Sequence, residues 1–340
     1  MTRTFETAAA PHWGPARSVR RLMAWVLLAL VPGLAVQSWF FGPGVLVQVS
    51  LAIVFACGFE AAMLRARGRP LRPFMTDLSA PVSGALFALC LPPLAPWWVA
   101  AIGMAAAMGV AKHLYGGLGF NLFNPAMVGY AVVLICFPLE VTRWPAPHAV
   151  DALEAVRAIF GGQLPTTRWD AIAQATPLDA TRALARSGAT LAEIAQDLLY
   201  RRASPQAWRW VVLAHALGGL LLLWRGVIRW QVPCATLATT VVVSLPFWLW
   251  DADLYASPVQ LLTEGALVLA AFFIATDPVS GSTTPRGWLI FGAGVAVLTL
   301  AIRRWGVYPD GVAFAVLLMN CAAPWIDLHT QPRIYGRSRA

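Results

Sequence analysis

Long apolar runs constrain this chain more than any other feature. Ten stretches, at about 21–41, 44–64, 79–91, 94–112, 125–139, 209–224, 232–250, 258–275, 287–302 and 309–326, carry at most one or two charged residues each. A hydrocarbon core about 30 Å thick takes roughly 20 apolar residues in a helix. Backbone N–H and C=O groups cannot stay unpaired in lipid, so runs of this kind become helices. Composition agrees: 59% of residues are hydrophobic and 12% are charged, against about 45–50% and about 25% in soluble domains. The expected fold class is an all-α polytopic membrane protein with about ten transmembrane segments. A cleaved signal peptide is not expected, because the first apolar run is long for an h-region and more membrane segments follow at once.

Segments 79–91 and 125–139 are short and bounded by Pro81, Pro92, Pro93, Pro125 and Pro138. They read as half-spanning or broken helices rather than full crossings. Orientation follows from Arg and Lys, which favour the cytoplasmic side in short loops. With the N-terminus inside, that side collects Arg17, Arg20, Arg21, Arg65, Arg67, Arg69, Arg72, Lys112, Arg225, Arg229, Arg286, Arg333, Arg337 and Arg339. The short opposing loops near 42–43, 92–96 and 251–257 hold neither residue type, and Arg303 and Arg304 are the exception. Both termini are thus expected in the cytoplasm, with the long polar stretch 140–208 outside. The net charge of +9 then reflects membrane orientation; no basic, aromatic-lined groove points to nucleic acid.

The polar stretch separates two halves of five segments, and an odd number per half forces opposite orientations. The expected plan is a cytoplasmic tail (1–20), a first membrane repeat (21–139), an extracytoplasmic segment (140–208), a second, inverted repeat (209–326) and a cytoplasmic tail (327–340). Inverted repeats place binding sites near the membrane midplane, at broken helices. Two interruptions qualify: "GGLGFNLFNPA" (Gly116 to Ala126) and "TDPVSGSTTPRG" (Thr276 to Gly287). Asn124-Pro125 and Asp277-Pro278 each read as an N-cap followed by proline at the first helical position. Such N-termini suit an anionic or carbonyl-bearing ligand; simple interhelical turns would use the same residues.

Ionisable residues inside apolar segments are costly and mark candidate functional sites. Glu60 and Glu264 are the intramembrane acids, and Asp77, Asp277 and Asp310 lie at segment edges. Glu60, Glu264, Asp277 and Asp310 form the candidate ion-path set, although capping or loop roles come first for the edge residues. Lys112, the chain's single lysine, sits at a helix end where snorkelling to the surface is the simpler account. The five cysteines are scattered with no CxxC, and the five histidines show no HxxxH spacing. Neither a metal centre nor a cysteine-ligated cluster is expected.

Several long motifs carry a family resemblance. "LYGGLGFNLFNPAMVGY", "PLDA", "FFIATDPVSGSTTPRGWLIFG" and "YPDGVAFAVLLMN", with "VPGLAVQSWFFGPGVLVQV" early and "PRIYG" late, resemble the D subunits of bacterial Rnf (Rsx) electron-transport complexes. The B subunits of the sodium-pumping NADH:quinone reductase are related. The resemblance covers nearly the whole chain. It implies a membrane subunit of a redox-driven ion pump that moves electrons between ferredoxin and NAD, coupled to Na+ or H+ transfer. It also implies two inverted five-helix repeats and a subunit of a translocase that is not active alone. The implied location is the bacterial inner membrane. The implied cofactors are FMN, joined through a phosphoester to a threonine hydroxyl on the outer side, and a non-covalent riboflavin. The implied partners are the other complex subunits, including a periplasmic flavoprotein, and a flavin transferase that uses FAD.

The family's flavin-transfer motif, D-G-x-(S/T)-G-A-T, places an aspartate six residues before the modified threonine. Asp170 stands six before Thr176, and Thr176 is followed by the family's "PLD". Thr190 has the local "SGAT" but Leu184 six residues earlier. The resemblance therefore assigns Thr176 as the FMN site and Asp170 as its motif residue. Ala171, Ala173 and Gln174 depart from the motif's Gly, Ser/Thr and Gly. Two other classes share the inverted-repeat architecture: a flavin-free transporter, and a structural scaffold for other redox proteins.

Overall fold

The computed structural model describes residues 18–161, 164–308 and 310–332. Arg17, Arg333, Arg337, Arg339 and most of "PRIYG" lie outside the described residues. Six of the described helices are long and apolar enough to cross a membrane: Val19–Phe41, Gly44–Ala66, Pro205–Trp224, Gln231–Trp250, Pro285–Trp305 and Val312–Thr330. The protein is thus an all-α, multi-pass membrane protein.

The other four expected segments are short or interrupted. Ser79–Leu89 has 11 residues and Pro125–Cys136 has 12, so each reaches only part of the way across, as the flanking prolines suggest. Segment 94–112 runs from α-helix Trp97–Ala105 into π-helix Ala106–His113. Segment 258–275 is not one helix. Pro258–Thr263 stops at Glu264, Gly265 takes a φ of +83°, and the chain resumes as Leu267–Leu269 and π-helix Ala270–Ile274. That φ suits a glycine, which has no Cβ to clash. Glu264, expected within a continuous segment, therefore sits at a helix break.

The two halves share a pairing scheme. In the first, Gly44–Ala66 packs on Ser79–Leu89 and Trp97–Ala105; in the second, Gln231–Trp250 packs on Ala270–Ile274 and Pro285–Trp305. Between halves, Val19–Phe41 packs on Pro205–Trp224, and Pro125–Cys136 packs on Val312–Thr330. First helix meets first and last meets last, as a pseudo-two-fold relation between repeats requires.

Residues 140–208 fold into short helices, among them Ala152–Phe160, Thr166–Ile172, Pro177–Arg186 and Leu191–Gln196. Trp144–Pro145 pairs antiparallel with Ala173–Gln174 and pins the start of this segment to its middle. Ala180, Ile194, Tyr200 and Ala203 form a small core beneath its second half. Polar contacts then fasten it to the second repeat: Arg182 donates to the Gly306 carbonyl, and Leu191 N donates to the Asp253 carbonyl at 2.8 Å.

Lipid supplies no hydrophobic force between helices, so close backbone approach at small residues holds them together. Gly218 is such a point: an added Cβ would strike the Ala29 carbonyl of the neighbouring helix. Gly218→Ala should lower stability by about 1–3 kcal/mol through overpacking. Gly58→Ala, where nothing lies within 4 Å, should be neutral or stabilising by about 0.5–1 kcal/mol. Thermal unfolding of both variants in detergent is the measurement.

Candidate functional site

The structure brings the two interruptions to one point. Asn124 caps Pro125–Cys136 as expected, with its Oδ1 accepting from Met127 N at 3.3 Å and Pro125 in the first turn. Asn320, buried within Val312–Thr330, accepts from Asn124 N through Oδ1 at 3.0 Å and donates from Nδ2 to the Ser280 carbonyl at 2.9 Å. Asn124 Nδ2 in turn donates to the Ile274 carbonyl at 3.4 Å. One side chain thereby joins "GGLGFNLFNPA" to "TDPVSGSTTPRG".

Asp277 does not cap a helix, contrary to the sequence expectation. Its carboxylate accepts from Val279 N at 3.2 Å and from Ser280 Oγ at 2.7 Å, which closes a turn. The helix begins later, at Pro285, with Thr284 as its cap accepting from Gly287 N at 2.9 Å. Thr284-Pro285 carries the same cap-then-proline signal, and it prevails because the Asp277 oxygens are held in the turn.

Two cavities lie back to back at this junction. One opens beside residues 140–208, has a volume of about 130 Å³, and is lined by Gln37, Tyr130, Trp144, Thr176, Asp179, Trp208, His215 and Asp310. The second has about 160 Å³ and is lined by Ser79, Lys112, Asn121, Asn124 and Asp277. Met127 and Ile274 face the first, and Asn124 and Phe273 face the second. Pro125–Cys136 and Ala270–Ile274, with their flanking residues, thus contribute to both walls.

Thr176 is the N-cap of Pro177–Arg186 and lines the first cavity. Its Oγ1 donates to Asp179 Oδ2 at 2.6 Å and accepts from Asp179 N at 3.2 Å. Burial pushes the Asp179 carboxyl above the ordinary carboxylate range, against the opposing effect of the Thr176 hydrogen bonds. Thr190 is also an N-cap, in a capping box with Glu193, but is not among the lining residues. Hydrogen bonds from the Thr190 backbone and side chain hold the Glu193 carboxyl below its usual range. Asp170 is exposed on Thr166–Ile172 and is likewise outside the cavity wall. Sequence reasoning had no signal for Asp179 at the Thr176 hydroxyl beyond an acid three residues past a cap.

The intramembrane ionisable groups find their partners within the protein, some of them charged and some neutral. Lys112 Nζ binds Glu60 Oε1 at 2.5 Å and donates to Ser79 Oγ at 2.7 Å, with His113 Nε2 3.6 Å from the same glutamate oxygen. Lys112 is only 2% exposed, so it does not snorkel; its position on the π-helix turns it inward toward Glu60. Asp77 accepts from Ser79 N at 2.7 Å, the cap-like role expected of an edge residue. At the other break, Tyr200 OH donates to Glu264 Oε1 at 2.6 Å. Asp310 accepts from Ala266 N at 2.7 Å and pairs with Arg303 at 3.4 Å, while Arg303 Nη1 donates to the Leu261 carbonyl at 2.8 Å. Of the candidate ion-path acids, Glu264 and Asp310 thus gather at one helix break, while Glu60 lies in a separate cluster.

Comparison with known proteins gives a consistent result. A model of the NQR2, RnfD, RnfE family matches residues 6–336. The ion-translocating oxidoreductase complex D subunit of Citrobacter koseri is 46% identical over 346 residues, covering 98% of this chain and 99% of that protein. Its counterparts of the same name from Escherichia coli O1:K1 and Salmonella paratyphi A are 46% and 45% identical over 349 residues, with the same coverage.

Replacing Asn320 by leucine would leave the Asn124 N–H and the Ser280 carbonyl without a partner. Each buried polar group left unsatisfied costs about 1–3 kcal/mol. Asn320→Leu should therefore lower the unfolding temperature in detergent sharply, whereas Asn121→Leu, which breaks no bond between the interruptions, should have a smaller effect.

Proposed function

The chain belongs to the NQR2, RnfD, RnfE family, and from that membership we propose that it is the membrane-embedded flavoprotein subunit of a redox-driven ion pump. In this reading it passes electrons through FMN joined to Thr176, within a ferredoxin- and NAD-linked complex coupled to Na+ or H+ movement. It sits in the bacterial inner membrane with both termini cytoplasmic and residues 140–208 outside. A periplasmic flavoprotein of the same complex would meet it on that outer face. It acts as part of a translocase and not alone.

The observation that carries the reading is the position of Thr176. Of the two Ala-Thr pairs, the one with the aspartate spacing lines the cavity between the halves, and the other does not. The residues present fit a tethered flavin. Trp144 and Trp208, with ring centroids 4.8 Å apart, supply apolar aromatic wall, and Gln37 and His215 supply polar groups in the same lining. A bound flavin supplies the electron chemistry; the chain tethers it, orients it and keeps water away. The threonine hydroxyl is a weak nucleophile on its own, so a flavin transferase with FAD as donor makes the bond.

For the non-covalent riboflavin we propose the opposite cavity. Asn121 Oδ1 is buried there without a protein partner, beside Asn124 and Lys112. That free acceptor suits the ring N–H on the amide-like edge of a flavin.

In-gel flavin fluorescence of denatured protein, co-expressed with an active transferase, tests the tether. Wild type and Thr190→Ala should fluoresce and Thr176→Ala should not. A dark wild type would favour a flavin-free transporter or scaffold. For ion coupling, Glu264→Gln should slow ion uptake into proteoliposomes containing the whole complex while flavin content stays at the wild-type level. Unchanged uptake would remove Glu264 from the ion path.

A further inference from the structure

We propose that His215 positions the tethered flavin, its Nε2 accepting a hydrogen bond from the ring N–H that reduction creates. The inference rests on the reading of Thr176 as the FMN tether. His215 lies on Pro205–Trp224, whose residues Trp208, Val211, Val212 and His215 all line the first cavity. Their spacing puts them on one helix face, with His215 two turns, about 10 Å, beyond Trp208. Trp208 neighbours the Trp144 ring, so the face runs from an aromatic wall to an imidazole.

The tautomer follows from the imidazole's one hydrogen bond. Nδ1 lies 2.9 Å from the Val211 carbonyl oxygen, and a carbonyl only accepts. Nδ1 therefore carries the proton, and Nε2 of the neutral ring presents a lone pair. Nε2 is buried and has no partner in the protein, an uncommon state for an interior polar atom. Other polar groups in the same wall are engaged: Gln37 Nε2 donates to the Leu89 carbonyl at 3.4 Å, Asp179 holds Thr176, and Asp310 holds Arg303 and Ala266 N. The chain also reserves space for the imidazole. Any Cβ at position 33 would collide with it, and the residue there is Gly33.

Full reduction of a bound isoalloxazine would take two electrons from its redox partner and two protons from water, one proton forming an N–H at N1 and the other the N–H at N5 that faces His215. His215 supplies neither electrons nor protons; it accepts the new N–H. A lone pair that is unpaired beside the oxidised ring and paired beside the reduced one favours reduction. Its removal should therefore lower the midpoint potential.

The test uses the full-length chain carrying its transferase-added flavin, titrated spectroelectrochemically, with in-gel fluorescence reporting the tether. His215→Phe should keep the tether and lose about tenfold in the reduction equilibrium, about 30 mV for two electrons. His215→Gln, whose amide oxygen can accept, should lie closer to wild type. A wild-type potential in His215→Phe, or equal shifts in both variants, would overturn the proposal. If His215→Phe fails to fold, redox-difference infrared spectra of wild type labelled with 15N-histidine decide: an imidazole band that shifts on reduction supports it, and none overturns it. Absence of tethered flavin in wild type would instead overturn the tether itself, and this assignment with it.

Discussion

Breaking a helix inside a membrane frees N–H and C=O groups that lipid cannot satisfy. This protein breaks its helices in both halves, and Asn320 resolves much of the resulting conflict. Its carboxamide has an acceptor and a donor end, and each is used on a different interruption: the Asn124 N–H and the Ser280 carbonyl. An apolar residue could fill the same volume but would satisfy neither group. The half-length helix Pro125–Cys136 and the loop after Ile274 can therefore exist at membrane depth in part because the full-length helix Val312–Thr330 carries an amide to both. Asn124 at this junction lines the second cavity, and Met127 on the same helix lines the first.

The pairing of first helix with first and last with last explains why the two interruptions meet. Each repeat contributes an interruption, and the interface between repeats brings the two together with open space on either side. Residues 140–208 contribute to the wall of the first space and not to that of the second. That segment has a small core of its own and also grips the second repeat through Arg182, Leu191 and Tyr200. Thr176 is thus held on a braced helix start rather than on a free loop, and a group attached there would have its entry point fixed relative to the membrane helices.

Much of this was legible in the residues. Apolar length marked the helices, the prolines around 79–91 and 125–139 marked the short ones, and Asn124-Pro125 marked a true cap. Asp277-Pro278 misled because cap chemistry and turn chemistry use the same side chains, and only the fold decides which amides reach the carboxylate. Lys112 misled for a related reason. Helical spacing cannot foretell a π-helix, which changes the face on which every later residue lies. Asn320 and Tyr200 escaped because their partners are 196 and 64 residues away in sequence. Yet a lone amide in an apolar run already signals that some distant polar group needs it.

The buried charges argue for an unequal division of labour among the acids. Taking an ion pair out of water costs several kcal/mol per ion, and breaking the pair afterwards leaves an uncompensated charge. A cation that used Glu60 would have to displace the Lys112 ammonium from its 2.5 Å contact, so this glutamate already has a built-in cation. Asp310 is similarly committed to Arg303 and the Ala266 N–H. Glu264 differs: its short contact is to a neutral phenol, Tyr200, and it stands where Gly265 has already opened the helix. An arriving cation there would exchange a hydrogen bond rather than a salt bridge. Tyr200 belongs to the segment that holds Thr176, so Glu264 is also linked by one hydrogen bond to the proposed flavin-bearing unit.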